Sequence, residues 1–175
     1  MHIFLTGAIG IGKSTILSYV EQQINVKKGG FRTIGDRDKI GKSTYVYIYN
    51  VGNVRQNSED KGIVVAHRYG DGRYKAYPEI FNTVGVEYLN KGKEADLIIM
   101  DELGFMENDA YVFQEKVIEI LDGQIPVIGV IKPRDTEFLN RVRKHKNVKV
   151  YEVTLQNRNE LKEEILECFF GRKNP

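Results

Sequence analysis

The sequence predicts an α/β fold in three layers: a mainly parallel sheet with helices on both faces, extended by an antiparallel hairpin. Three observations carry this. The apolar runs HIFLT, DLIIMD and PVIGVIK are continuous rather than alternating, as in strands buried on both faces. Segments with helical spacing separate the later runs. Two β-branched and aromatic runs, TYVYIYN and GIVVAHR, follow one another with only a polar stretch between them.

Taken in order, HIFLT is the first strand. Ile16, Leu17, Val20 and Ile24 recur at helical spacing in a helix read as Lys13–Lys27, stopped by Gly29-Gly30. Thr44–Asn50 and Gly62–Arg68 form the hairpin, with RQNSEDK in its loop. Residues Pro78–Ala95 read as one or two short helices interrupted near Gly85. The strand Asp96–Asp101 is followed by an amphipathic helix, Ala110–Leu121, carrying Val112, Phe113, Val117, Ile118 and Leu121. Pro126–Lys132 is the next buried strand, and a helix runs through DTEFLNRVRKHK. The strand Val148–Thr154 and a helix from Glu160 to Phe170 complete the chain.

With 175 residues, the chain is expected to be a single domain over 1–175, long enough for a full core. Its net charge of +2 is too small to argue for nucleic acid or an anionic membrane surface. Cys168 has no cysteine to pair with, and its helical face, shared with Leu161, Ile165 and Phe169, predicts a buried structural thiol. The apolar start is too short and unflanked for a signal peptide, and no run approaches a membrane span, so the expected location is cytoplasmic.

The chemistry begins between the first strand and the first helix. In GAIGIGKST four residues separate Gly7 from Gly12, satisfying G-x-x-x-x-G-K-[ST], the Walker A pattern of a phosphate-binding loop (P-loop). Glycines let backbone N–H groups curl inward, and the following helix adds its positive end. The candidate nucleotide-binding residues are Gly7, Ala8, Ile9, Gly10, Ile11, Gly12, Lys13, Ser14 and Thr15. Lys13 would reach the β- and γ-phosphates, and the Ser14 hydroxyl would hold Mg²⁺. A second IGKST, Ile40–Thr44, fails: five residues separate Gly35 from Gly41, two of them carboxylates, and a strand-forming run follows instead of a helix.

ADLIIMDELGFME places Asp101 and Glu102 at the end of an apolar strand, the Walker B arrangement. The first carboxylate holds Mg²⁺ and the second can polarise a water for attack on the γ-phosphorus. That pairing is the mark of the additional-strand, catalytic-glutamate (RecA/AAA+-like) type of P-loop NTPase fold. Lys13 and Glu102 are therefore the candidate catalytic residues, Asp101 and Glu102 further nucleotide-site residues, and Ser14 and Asp101 the metal ligands. Lys132 and Arg134 read mainly as a solvated loop, with a γ-phosphate sensor as the other reading; Arg32, Arg37, Arg55, Arg68 and Arg73 read mostly as a solvated face. His2, His67 and His145 show no ligand spacing. NKGK, Asn90–Lys93, has Lys93 where a guanine-reading Asp would stand.

Nearly the whole chain resembles the THEP-type nucleoside-triphosphatases, the family that includes the cancer-related nucleoside-triphosphatase. GAIGIGKST is similar to its phosphate loop, GGFRT to its G-F-x-T segment with Arg37 at the position of the arginine that follows, and GRY and VGV to its G-K/R-Y and V-G-V. DLIIMDELGFME resembles its D-E-I-G-x-M-E, and YEVTLQNRNEL its V-T-x-x-N-R-x-x-L, with Asn157 and Arg158 at the N-R position. The chain departs at KIGK, where Lys42 replaces the aromatic residue of R-x-G-F. The resemblance implies Mg²⁺-dependent hydrolysis of ATP, GTP, CTP and UTP with loose base preference. Protein partners are not specified by it.

The residues alone leave two other readings open. One is a P-loop kinase using the Arg-bearing stretch Gly30–Lys93 for a nucleotide or small-molecule acceptor. The other is a binding module timed by slow turnover.

Overall fold

The computed structural model describes residues 1–35, 43–53 and 62–170. Eight strands form one sheet: β1 His2–Thr6, β2 Lys28–Gly35, β3 Thr44–Asn50, β4 Ile63–Arg68, β5 Tyr74–Ala76, β6 Leu97–Leu103, β7 Val127–Ile131 and β8 Val148–Glu152. Their order is β5-β4-β3-β2-β6-β7-β1-β8. The five strands from β2 to β8 in that order pair in parallel, whereas β3, β4 and β5 add antiparallel beyond β2. Strand β7 is inserted between β1 and β6, so the additional strand expected of this P-loop class is present.

Each central strand is buried on both faces, which is why its sequence is apolar without interruption. Ile3 and Leu5 join Ile16, Leu17, Val20, Leu161 and Ile165 under helix α1, Lys13–Gln23, and helix α5, Arg158–Phe170. Phe4, between them, turns to the other face with Phe31, Phe81, Phe113, Phe138 and Leu139. That face is covered by helix α2 over 78–92, α3 Tyr111–Asp122 and α4 Glu137–Arg143. The Phe31 and Phe113 rings meet edge to face, 5.4 Å between centroids, locking β2 to α3.

Several elements differ from the sequence reading. Helix α1 ends at Gln23, and Gly29-Gly30 lies inside β2 rather than terminating a helix. Helix α2 passes through Gly85 as a π-turn, Phe81–Gly85, instead of breaking there. Cys168 is exposed, because Leu161 and Ile165 point inward and leave it at the helix margin, 3.7 Å from the Tyr151 hydroxyl. The second IGKST keeps only Ser43 and Thr44 among the described residues, where Thr44 opens β3 as its sequence suggested; Lys42 lies outside them. No helix among the described residues is long and apolar enough to cross a membrane.

One buried histidine gives the fold an acid sensitivity. His2 is buried, with Nε2 against the Leu121 carbonyl at 3.0 Å and Nδ1 without a partner. Burial, with the N-terminal ammonium, pushes its pKa down to about 4 from 6.5, despite the Leu121 carbonyl. A histidine held neutral leaves stability intact above 6.5 and removes it as pH falls toward 4. The loss is on the order of 3 kcal/mol. Urea unfolding of wild type and His2→Gln at pH 7 and pH 4 should show the wild type losing that much more than the variant. Equal losses would contradict the assignment.

Candidate active site

The residues singled out from sequence come together at the carboxyl ends of β1, β6 and β7. The loop between β1 and α1 turns on Gly7, Gly10 and Gly12, with φ of 133°, 78° and 115°. A side chain at Gly7 would meet the Val153 carbonyl at 2.7 Å, so glycine is required where the loop passes the end of β8. The Lys13 ammonium folds back over this loop and donates to the Gly7 and Ala8 carbonyls, both at 2.7 Å. Ala8, Ile9 and Gly10 are exposed on the loop, and Ser14 and Thr15 stand exposed in the first turn of α1. Burial lowers the Lys13 pKa; Glu102 and Asp101 oppose that, and Lys132 adds to it. The two lysines and two carboxylates thus act on one another electrostatically.

Asp101 and Glu102 are turned out by an irregularity in β6. Asp101 pairs with Val130 and Leu103 with Ile131, so Glu102 is the extra residue of a bulge. Its backbone N–H donates to the Thr33 hydroxyl at 3.2 Å and its carboxylate meets the Lys132 ammonium at 2.8 Å. Asp101 accepts from Arg32 Nε at 3.0 Å, and the same guanidinium reaches Glu21 of α1 at 2.5 Å. Burial raises the Asp101 pKa, while the Arg32 charge and hydrogen bond pull it back.

Three further residues stand around this pair. Arg32 was read as part of a solvated face but is mostly buried on Asp101. Lys132, whose first reading is a solvated loop, pairs with Glu102 at 2.8 Å. Glu107 is fully buried, and burial pushes its pKa up to about 7 against the pull of the Gly104 N–H and Lys132. Its only sequence signal was the closing Glu of the D-E-I-G-x-M-E resemblance.

Beyond β8, Asn157 is occupied locally. Its amide donates to the Glu152 carbonyl at 2.8 Å, its oxygen accepts the Thr154 N–H at 2.9 Å, and its own N–H meets the Thr154 hydroxyl at 3.2 Å. This staple fixes the start of α5 and sets the exposed Arg158 beside Gly12, where a Cβ would lie 3.7 Å from Arg158 Cδ. No cluster of three or more His, Cys, Asp or Glu suited to a metal occurs among the described residues. The Ser14 hydroxyl and the Asp101 carboxylate are hard oxygen donors of the kind that would suit Mg²⁺ together with substrate phosphates.

Comparison with known proteins agrees with this architecture. The family model described as NTPase matches residues 2–166. The nucleoside-triphosphatase THEP1 of Methanocaldococcus jannaschii is 33% identical over 95% of each chain. That of Thermotoga maritima is 30% identical over 95% of this chain and 94% of its own. The crystal structure of THEP1 from the hyperthermophile Aquifex aeolicus superposes with a TM-score of 0.76 at 24% identity, covering 97% of this chain and 99% of that one. The solution structure of a human cancer-related nucleoside triphosphatase gives 0.70 at 22%, covering 99% of both. The two structures bear on the fold, a P-loop NTPase fold, and the sequence matches bear on descent: the chain belongs to the NTPase family, with the THEP1 nucleoside-triphosphatases.

Proposed function

We propose that the chain is a single-domain, cytoplasmic, Mg²⁺-dependent nucleoside-triphosphatase that releases the diphosphate and inorganic phosphate from ATP, GTP, CTP and UTP. The observation that carries this reading is the convergence of Lys13, Asp101, Glu102 and Lys132 beside the Gly7–Ser14 loop. The backbone N–H groups of Gly7, Ala8, Ile9, Gly10, Ile11 and Gly12, with those of Lys13, Ser14 and Thr15 at the helix start, cradle the phosphates. Lys13 leaves the two loop carbonyls for the β- and γ-phosphate oxygens. Ser14 and Asp101 would hold Mg²⁺, which would supply charge neutralisation for the β- and γ-phosphates. Glu102 orients a water and accepts its proton. Lys132, already at the Glu102 carboxylate, is within reach of a γ-phosphate and releases Glu102 as it turns toward the new charge.

Base selectivity should be weak. The side chain of Asn157 is occupied by its own turn, and phosphate contacts do not distinguish bases. Arg158 offers a flat cation that stacks on any base. Phosphate release from ATP, GTP, CTP and UTP should give kcat/KM values within about tenfold, a spread of roughly 1.4 kcal/mol. Turnover confined to one base would contradict this reading of the nucleoside end.

A further inference from the structure

Asp101 and Glu102 lean on successive residues of the neighbouring strand. Thr33 meets the Glu102 backbone, and Arg32, the register partner of Asp101 on β2, meets the Asp101 carboxylate. The Arg32 guanidinium has a second anchor. Its Nε donates to Asp101 Oδ2 at 3.0 Å, and its Nη2 donates to Glu21 Oε1, on helix α1, at 2.5 Å. The side chains of Arg32, Asp101 and Glu21 are only 24%, 13% and 17% exposed, so water screens this triad little.

Glu21 is itself held from β2, where the Lys28 ammonium donates to its carbonyl at 2.6 Å. It follows Ser14 by seven residues of the same helix, about two turns, which puts both on one side of α1. Ser14 and Asp101, the candidate Mg²⁺ ligands, therefore stand on two elements that Arg32 ties together. The fork takes Asp101 by one oxygen, Oδ2, so the carboxylate keeps a second to offer. With both acids ionised the triad carries one negative charge in excess, which draws a cation. A lysine would supply the same positive charge. The planar fork of arginine adds fixed directions to two carboxylates at once.

We propose that Arg32 is a positioning residue for the metal: by gripping Asp101 and Glu21 in one fork it fixes α1 against β6, and with it the placing of Ser14 relative to Asp101. This role rests on the reading of those two residues as the Mg²⁺ ligands. Groups that hydrogen-bond a metal-ligating side chain set its orientation, and their loss typically costs about 10–100-fold in metal affinity. Glu21, two turns from the phosphate loop, is part of the same device.

The test follows binding, not turnover. A fluorescent, non-hydrolysable ATP analogue is titrated with Mg²⁺ on wild type, Arg32→Lys, Glu21→Ala and Glu21→Gln, and each protein is also titrated with the analogue in excess chelator. Arg32→Lys keeps the charge and loses the fork. Glu21→Ala removes the second anchor, whereas Glu21→Gln removes its charge and keeps an oxygen for Nη2. Arg32→Lys and Glu21→Ala should raise the Mg²⁺ concentration at half-maximal binding by about ten- to a hundredfold. Metal-free affinity should stay within about twofold, and Glu21→Gln should shift the Mg²⁺ midpoint by less than about threefold. Combining Arg32→Lys with Glu21→Ala should add little to either alone, because both break one link. A fork that serves only the fold leaves the Mg²⁺ midpoint of every folded variant at the wild-type value, which would overturn the proposal. Glu21→Gln shifting as far as Glu21→Ala would reduce the effect to charge and overturn it too. Should Arg32→Lys not fold, the two Glu21 variants decide between the same outcomes. Asp101→Asn losing Mg²⁺-dependent binding while Arg32→Lys and Glu21→Ala keep it sinks this inference alone. An unchanged Mg²⁺ midpoint in Asp101→Asn sinks it together with the metal site beneath it.

Discussion

Lys13→Ala is expected to abolish tight NTP binding and turnover, whereas Lys42→Ala leaves both near the wild-type level. The Lys13 ammonium already spans the loop through the Gly7 and Ala8 carbonyls. Exchanging two neutral acceptors for ionised phosphate oxygens sets opposite charges on both sides of each hydrogen bond, and hydrogen bonds to charged groups are worth about 1.5–3 kcal/mol each. Losing two such bonds weakens binding by roughly 10²-fold or more. Lys42, which lies outside the described residues, belongs to a segment with the same five letters, but its last residue, Thr44, opens strand β3 where the first copy opens helix α1. Titration of each variant with a fluorescent NTP analogue measures the difference. Equal losses in two folded variants would contradict the assignment of the loop.

Glu102→Gln should separate binding from chemistry. The Lys13 loop, Ser14 and Asp101 are untouched by it, so affinity for NTP and Mg²⁺ should stay within a few-fold. The amide cannot accept the proton of the attacking water, and positioned acid–base groups contribute about 10²–10⁴-fold. Phosphate release should fall by that order. Asp101→Asn is expected to act differently, weakening Mg²⁺-dependent binding itself and leaving Arg32 facing Glu21 alone. Glu102→Gln hydrolysing at the wild-type rate would remove the carboxylate from the mechanism.

The parts of the site carried by local sequence were legible in advance. A strand, three glycines and a Lys-Ser at a helix start encode the loop within nine residues, and an apolar strand ending in Asp-Glu marks the other half. What depends on distant packing was not legible. Strand β2 was hidden because Gly29-Gly30 resembles a helix stop. A side chain at Gly30 would meet the Ile99 carbonyl at 2.1 Å, and one at Gly29 the Gly92 Cα at 2.7 Å. Glycine is there because β6 and the end of α2 press on the strand, a reason no local pattern records. With β2 went Arg32 and Thr33, which reach Asp101 and Glu102 across the parallel pairing. Lys132 offers two readings in the sequence, a solvated loop and a γ-phosphate sensor, and its pairing with Glu102 follows only from β7 lying beside β6. Strand β5, three residues long, carries too little pattern to be read. Cys168 was misplaced because helical spacing gives a face only to within one position.

The most direct measurement of the central claim is the stoichiometry of the products. Inorganic phosphate and nucleoside diphosphate would be followed together, with Mg²⁺ or with excess chelator, and with or without candidate acceptors. A phosphatase acting at this site should yield one phosphate for each diphosphate formed, unchanged by acceptors and lost with the metal. Diphosphate forming without free phosphate, or only when an acceptor is added, would contradict it and establish transfer in place of hydrolysis.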